Sequence, residues 1–177
     1  MNDIVFDFFG INETLSKVSD ILLLLTLVVL GGFALMGLLQ LIKRKSLKKV
    51  DAELTAMIPS LVLTAAIYYV FDKIWVLSYR PVLINGVAES SFPSTHTMVV
   101  VTVLGMVMLA LPKYIKNKKT RIAIDLVMLA VMGAVAFCRV ASGMHWMTDV
   151  LGGVVFGADL ALLYGGILRV MKERRHE

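Results

Sequence analysis

The chain has 177 residues, 58% of them hydrophobic, and a formal net charge of +5. A mean hydropathy of +0.81 excludes an ordinary water-soluble domain, whose apolar share is markedly lower. The single cysteine, Cys138, excludes an internal disulfide and says little about redox compartment.

The N-terminus MNDIVFDFFG carries acids where a leader would carry basic residues, and shows no small-residue cleavage site, so no signal peptide is expected. The piece IVFDFFGINETLSKV is too polar to span a bilayer. Residues 1–19 read either as a segment lying in the membrane interface, with Ile4, Phe8 and Leu15 toward lipid, or as a disordered tail. Five apolar runs follow, at about 20–42, 53–72, 96–112, 122–139 and 149–170, each near the roughly 20 residues a crossing needs. The expected fold is an all-α polytopic membrane bundle of about five transmembrane helices, a single integral-membrane domain over 1–177, because lipid-exposed backbone must satisfy its own hydrogen bonds. Pro59 predicts a kink near one end of the second run.

A positive balance could point to nucleic acid, but the placement of the charges argues against it. Five basic residues lie in KRKSLKK (43–49), five in KYIKNKKTR (113–121), and Arg169, Lys172, Arg174 and Arg175 close the chain: fourteen of eighteen, all beside apolar runs. Cytoplasmic loops collect Lys and Arg. The expected topology is a multi-pass protein of the cell membrane with its N-terminus, residues 73–95 and residues 140–148 outside, and its C-terminus inside. Its partners would be membrane lipids and a lipid substrate, with no nucleic acid; oligomeric state is not legible.

Four basic residues remain: Lys17, Lys73, Arg80 and Arg139. The last three sit at the outer ends of spans, where the orientation rule does not place them, and His96, His145 and Asp149 fall at the same level. In KIWVLSYRP, Lys73 and Arg80 are seven apart, two turns of a helix if it continues that far, before Pro81 stops it. The loop beyond carries a turn signal at Asn85-Gly86. Two such cations suit an anion held between them, and arginine presents a fork matched to phosphate oxygens. In FPSTHT, Ser94 or Thr95 is a natural helix N-cap, so unpaired backbone N–H groups would face an anion with His96 beside them. In CRVASGMHWMTDV, His145 and Asp149 are four apart and would share a helical face, where a carboxylate on one ring nitrogen makes the other a better nucleophile. The chemistry implied is phosphoryl transfer: His145 attacks phosphorus, His96 protonates the leaving oxygen, and Lys73, Arg80 and Arg139 hold the remaining oxygens. With those charges supplied, no metal or other cofactor is called for.

Together the three pieces resemble the signature of the type 2 phosphatidic acid phosphatase superfamily, K-x6-R-P, P-S-G-H and S-R-x5-H-x3-D. Here they read Lys73-x6-Arg80-Pro81, Pro93-Ser94-Thr95-His96 and Cys138-Arg139-x5-His145-x3-Asp149. The resemblance covers residues 73–149 and implies catalytic His145, His96 and Asp149, with Lys73, Arg80, Ser94, Thr95 and Arg139 on the phosphate. It implies a metal-independent lipid phosphatase working at the outer face through a phosphohistidine. Undecaprenyl diphosphate is the expected substrate; phosphatidylglycerophosphate, phosphatidate and diacylglycerol diphosphate are rivals. Two positions depart from the pattern: Thr95 stands where glycine is usual and Cys138 where serine is usual. A catalytically inactive lipid-phosphate-binding or transport protein is the alternative those departures allow, and a small channel or assembly factor would leave the outer cations unexplained.

Taken singly, each feature has a plainer account. Lys73 and Arg80 could snorkel at the interface, and the His145–Asp149 pair could be structural. Trp75, Trp146, Tyr69 and Tyr79 read as an aromatic belt. Gly153 and Gly157 read as a close-packing pair inside the fold rather than a dimer contact. Asp159, ten residues beyond Asp149, is expected as a hydrogen-bonded or protonated packing group, with a proton path as the alternative.

Overall fold

A computed structural model describes residues 2–83 and 86–176, with side chains through Arg174; Asn85 of the turn signal and the Arg175 side chain lie outside the described residues. Helix α1 (Asn2–Phe9) is followed by α2 (Glu13–Arg44), which Asn12 caps by accepting from Leu15 N at 3.1 Å. The cap extends α2 back through residues 13–19, so only α1 forms a separate N-terminal segment. That segment is docked, which corrects the disordered-tail alternative: Phe6 lies 5.9 Å from Trp146 and Phe9 lies 5.8 Å from Phe137, ring centre to ring centre. Ile4 and Phe8 point away from the bundle, 73% and 80% exposed, while Leu15 is half-buried.

Short α3 (Ala52–Thr55) and α4 (Met57–Tyr69) form the second crossing, broken at Ala56. Pro59 has no N–H to offer the Thr55 carbonyl, and the break falls in that turn, as the sequence predicts. A π-helical turn, Val70–Ile74, ends this crossing. The chain then runs extended, closing one antiparallel bridge between Tyr79 and Ser90. The crossings α5 (Thr95–Tyr114), α6 (Lys118–Ala141) and α7 (Met147–His176) complete the bundle. Five helical stretches, Glu13–Arg44, Ala52–Ile74, Thr95–Tyr114, Lys118–Ala141 and Met147–Arg174, are long and apolar enough to cross a membrane. The chain is an all-α, multi-pass membrane bundle.

Helix α5 is the core, packed against α2, α4, α6 and above all α7. A seam of small residues lets α5 and α7 approach at backbone distance. A Cβ on Gly153 would lie 2.7 Å from the Ser94 carbonyl oxygen, and one on Gly157 would lie 2.7 Å from Val101 Cβ and 2.9 Å from the Met98 carbonyl oxygen. One turn on, Ala161 Cβ meets Gly105. The glycine pair therefore packs within the fold, as expected from its spacing. Asp159 does not join this seam. It lies exposed on α7 among exposed Val155, Leu162 and Leu163, without a hydrogen-bond or ion-pair partner among the described residues, which corrects the expected packing role. At the end opposite the site, Lys172 Nζ pairs at 2.8 Å with buried Glu53, and Arg44 pairs at 3.0 Å with Asp51.

Filling the seam should destabilise the bundle. Gly157→Val is expected to cost about 1–3 kcal/mol through overpacking, whereas Gly32→Ala, with nothing within 4 Å of the added Cβ, should be neutral or stabilise by up to about 1 kcal/mol. Thermal unfolding of the two variants in one detergent checks the contrast.

Candidate active site

The organising group is the Asp149 carboxylate, 1% exposed at the start of α7. Ser78 Oγ donates to its Oδ1 at 3.1 Å; Oδ2 accepts from Ser91 Oγ and, at 3.1 Å, from the Trp146 backbone N–H. The Asp149 backbone carbonyl accepts from Ser94 N at 2.9 Å. One residue thus fastens both ends of the 75–94 connection to the turn ahead of α7. Trp146 adds a second tie, its indole N–H donating to the Tyr79 carbonyl at 2.8 Å.

His145 stands against this group, but not through the direct helical pair its spacing suggests. Helix α7 begins only at Met147, so His145 lies in the preceding turn and its Nδ1 is 3.9 Å from Asp149 Oδ2. Ser91 Oγ fills the gap, 3.1 Å from His145 Nδ1 while donating to Asp149. With that hydroxyl proton committed to the carboxylate, Nδ1 carries its own hydrogen and donates to Ser91, and Nε2 is left with its lone pair. Nε2 is buried and has no partner among the described residues. Burial holds the ring well below the usual imidazole range, at about 4, with the Arg139 and Arg80 charges acting in the same direction and Asp149 opposing them. His145 is therefore neutral near pH 7. Gly143, at φ +70°, makes the turn that delivers it; a side chain there would also strike the Gly10 carbonyl.

His145 lines a cavity of about 410 Å³ together with Lys73, Arg80 and Thr95. The two cations reach it without the continuous helix their spacing allows: the helix ends at Ile74, and Arg80 arrives on the extended segment paired with Ser90. Each brings a carboxylate, Lys73 Nζ with Asp72 at 2.8 Å and Arg80 Nε with Glu89 at 3.4 Å, and both acids also line the cavity. An entering anion would have to compete with them.

Four expected site residues stand outside this lining: Asp149, described above, and Ser94, His96 and Arg139. Ser94 is fully buried at the N-cap of α5 without capping through its side chain; its hydroxyl meets Thr97 Oγ1 at 3.1 Å. His96 and Arg139 gather instead around Asp20 of α2, with His96 Nε2 2.9 Å and Arg139 NH1 3.6 Å from Asp20 Oδ1. Arg139 NH1 also donates to Ser19 Oγ at 3.3 Å, while its Nε is buried without a partner among the described residues. Cys138 is buried beside it as a free thiol. Ser91, Ser78, Asp72, Glu89 and Asp20 are the members that motif spacing does not reveal. Only Asp20 left a trace, as a lone acid at the site-side edge of an apolar run.

Ser91→Ala would leave the Asp149 carboxylate buried with one donor fewer, an expected loss of about 1–3 kcal/mol. Thermal unfolding measures it, and ¹⁵N NMR of His145 should show the ring no longer confined to the Nδ1–H tautomer.

In sequence, the profile of the PAP2 superfamily matches residues 53–172, a stretch that contains the cavity cations, both histidines and Asp149. No curated protein matches the chain. In structure it is similar to "the first transmembrane PAP2 type phosphatidylglycerolphosphate phosphatase from Bacillus subtilis", at a TM-score of 0.69 and 19% identity, over 98% of this chain and 85% of that one. Sequence match and bundle architecture agree, and the chain belongs to the PAP2 superfamily.

Proposed function

We propose that this protein is a membrane lipid phosphatase that removes phosphate from a lipid phosphomonoester or diphosphate through a phosphohistidine. The observation that carries the reading is the state of His145: Nδ1 engaged by the Ser91–Asp149 pair, Nε2 buried and free, and the ring on a cavity wall with Lys73 and Arg80. Nε2 would attack phosphorus as the bond to the leaving oxygen breaks, and that oxygen would take its proton from His96. Water would then displace phosphate from His145, returning a proton to His96. Asp149 would offset the positive charge that the phosphorylated ring acquires. Lys73, Arg80 and Arg139 would hold the phosphoryl oxygens without a metal, with Ser94 and Thr95 forming the helix-end part of the cradle.

Placing the fourteen basic residues of the opposite end in the cytoplasm puts the cavity at the extracytoplasmic face, at headgroup depth. Among lipid substrates, undecaprenyl diphosphate remains a candidate, and the similar B. subtilis structure lends support to phosphatidylglycerophosphate. The deciding experiment is phosphate release by detergent-purified protein from these two lipids, phosphatidate and diacylglycerol diphosphate, with EDTA present. Wild type should turn over at least one lipid, and His145→Ala should lose at least about 10³-fold in kcat. Folded wild-type protein that releases phosphate from none of them would refute the phosphatase reading.

The acid limb of kcat/KM gives an independent check. The free enzyme needs His145 neutral, which holds above its pKa; activity should therefore persist below pH 6 and fall only as pH drops toward about 4. A limb near 6.5, the ordinary imidazole value, would contradict the assignment of His145.

A further inference from the structure

His96 is part of the family signature, but its partner Asp20 lies outside every motif of it and outside the matched residues 53–172. Its carboxylate comes from α2, whose adjacent residue Ser19 is fully buried and contacts Arg139. From the phosphatase reading and this contact, we infer that Asp20 is a positioning residue: it holds His96 by Nε2 with Nδ1 left to deliver the proton, and steers Arg139 toward the same phosphate.

The geometry that motivates this is the shared contact. A single oxygen, Asp20 Oδ1, serves His96 at 2.9 Å and Arg139 at 3.6 Å. A ring tied at Nε2 can exchange a proton with the leaving oxygen only through Nδ1. The Nε2–H stays on Asp20 throughout, while the proton on Nδ1 moves to the leaving oxygen and the one taken back comes from water. The charged groups that act on His96 are Asp20 from α2, Arg139 from α6 and Arg80 from the 75–94 connection. Asp20 is the one anion among them, so it offsets two guanidinium groups that would otherwise oppose a protonated imidazole. The Asp20 side chain, two turns into α2, is half exposed, so packing does not account for it.

The test compares wild type, Asp20→Asn, Asp20→Glu, His96→Ala and the Asp20→Asn/His96→Ala double variant, as full-length protein in detergent. The two substrates are dioctanoyl phosphatidate, whose alkoxide leaving group needs a proton, and p-nitrophenyl phosphate, whose leaving group does not. Asp20→Asn is expected to lower kcat on phosphatidate about 10–100-fold, the usual cost of losing the partner that orients a working histidine, and far less on p-nitrophenyl phosphate. The basic limb of its kcat profile should move to lower pH, Asp20→Glu should recover part of the rate, and the double variant should be no slower than His96→Ala. An Asp20→Asn enzyme with wild-type kcat and pH profile overturns the assignment, as does an equal loss on both substrates or a loss that multiplies that of His96→Ala. Wild-type protein inactive on both compounds would instead overturn the phosphatase reading on which the assignment rests.

Discussion

Everything at the site end depends on one buried carboxylate. An ionised group removed from water must be repaid with hydrogen bonds or opposite charge, and Asp149 takes one donor from the neighbouring Trp146 backbone and two from places distant in sequence, Ser78 and Ser91. Satisfying it draws the long connection after α4 down onto the start of α7. The cavity is what remains between that connection and the helices. The requirement that stabilises the fold there is the same one that sets the tautomer of His145, so structure and reactivity are not separable at this position.

The seam between α5 and α7 gives this arrangement its rigidity. In a bilayer, helices gain little from hiding apolar surface from lipid, and close backbone approach through small residues supplies the packing instead. Gly153 sits against Ser94, the N-cap of α5, so tight packing of the seam and placement of the helix end proposed to hold phosphate coincide. The opposite end is fastened by separate means, the Lys172–Glu53 and Arg44–Asp51 pairs.

The sequence makes the helices legible because bilayer thickness demands long apolar runs, and makes Lys73, Arg80, His145 and Asp149 legible because their spacing is short and fixed. What it conceals are contacts across long stretches of chain. Ser91 is 58 residues from Asp149, and Asp20 is 76 from His96; no periodicity connects them. Helical rules also overreach where helices stop. Seven residues between Lys73 and Arg80 suggested two turns, yet the chain passes through a π-helical turn into extended backbone. A separation of four suggested a direct His145–Asp149 bond, yet the helix begins two residues after His145 and a serine occupies the interval. Asp159 shows the reverse failure: mid-span depth suggested a packed acid, but its helical face is the one turned away from α5.

The docking of α1 bears on how the protein is made. The turn that carries His145 is held from one side by the N-terminal segment, through Phe6 of α1 on Trp146 and a backbone bond from Asn12, the cap of α2, to the Ser142 carbonyl, and from the other by the connection ahead of α5. During synthesis both of these partners leave the ribosome well before the turn does, and the turn can settle between them only after it has been delivered to their side of the bilayer. A chain halted after its fourth crossing would contain four sound membrane helices and no assembled imidazole site.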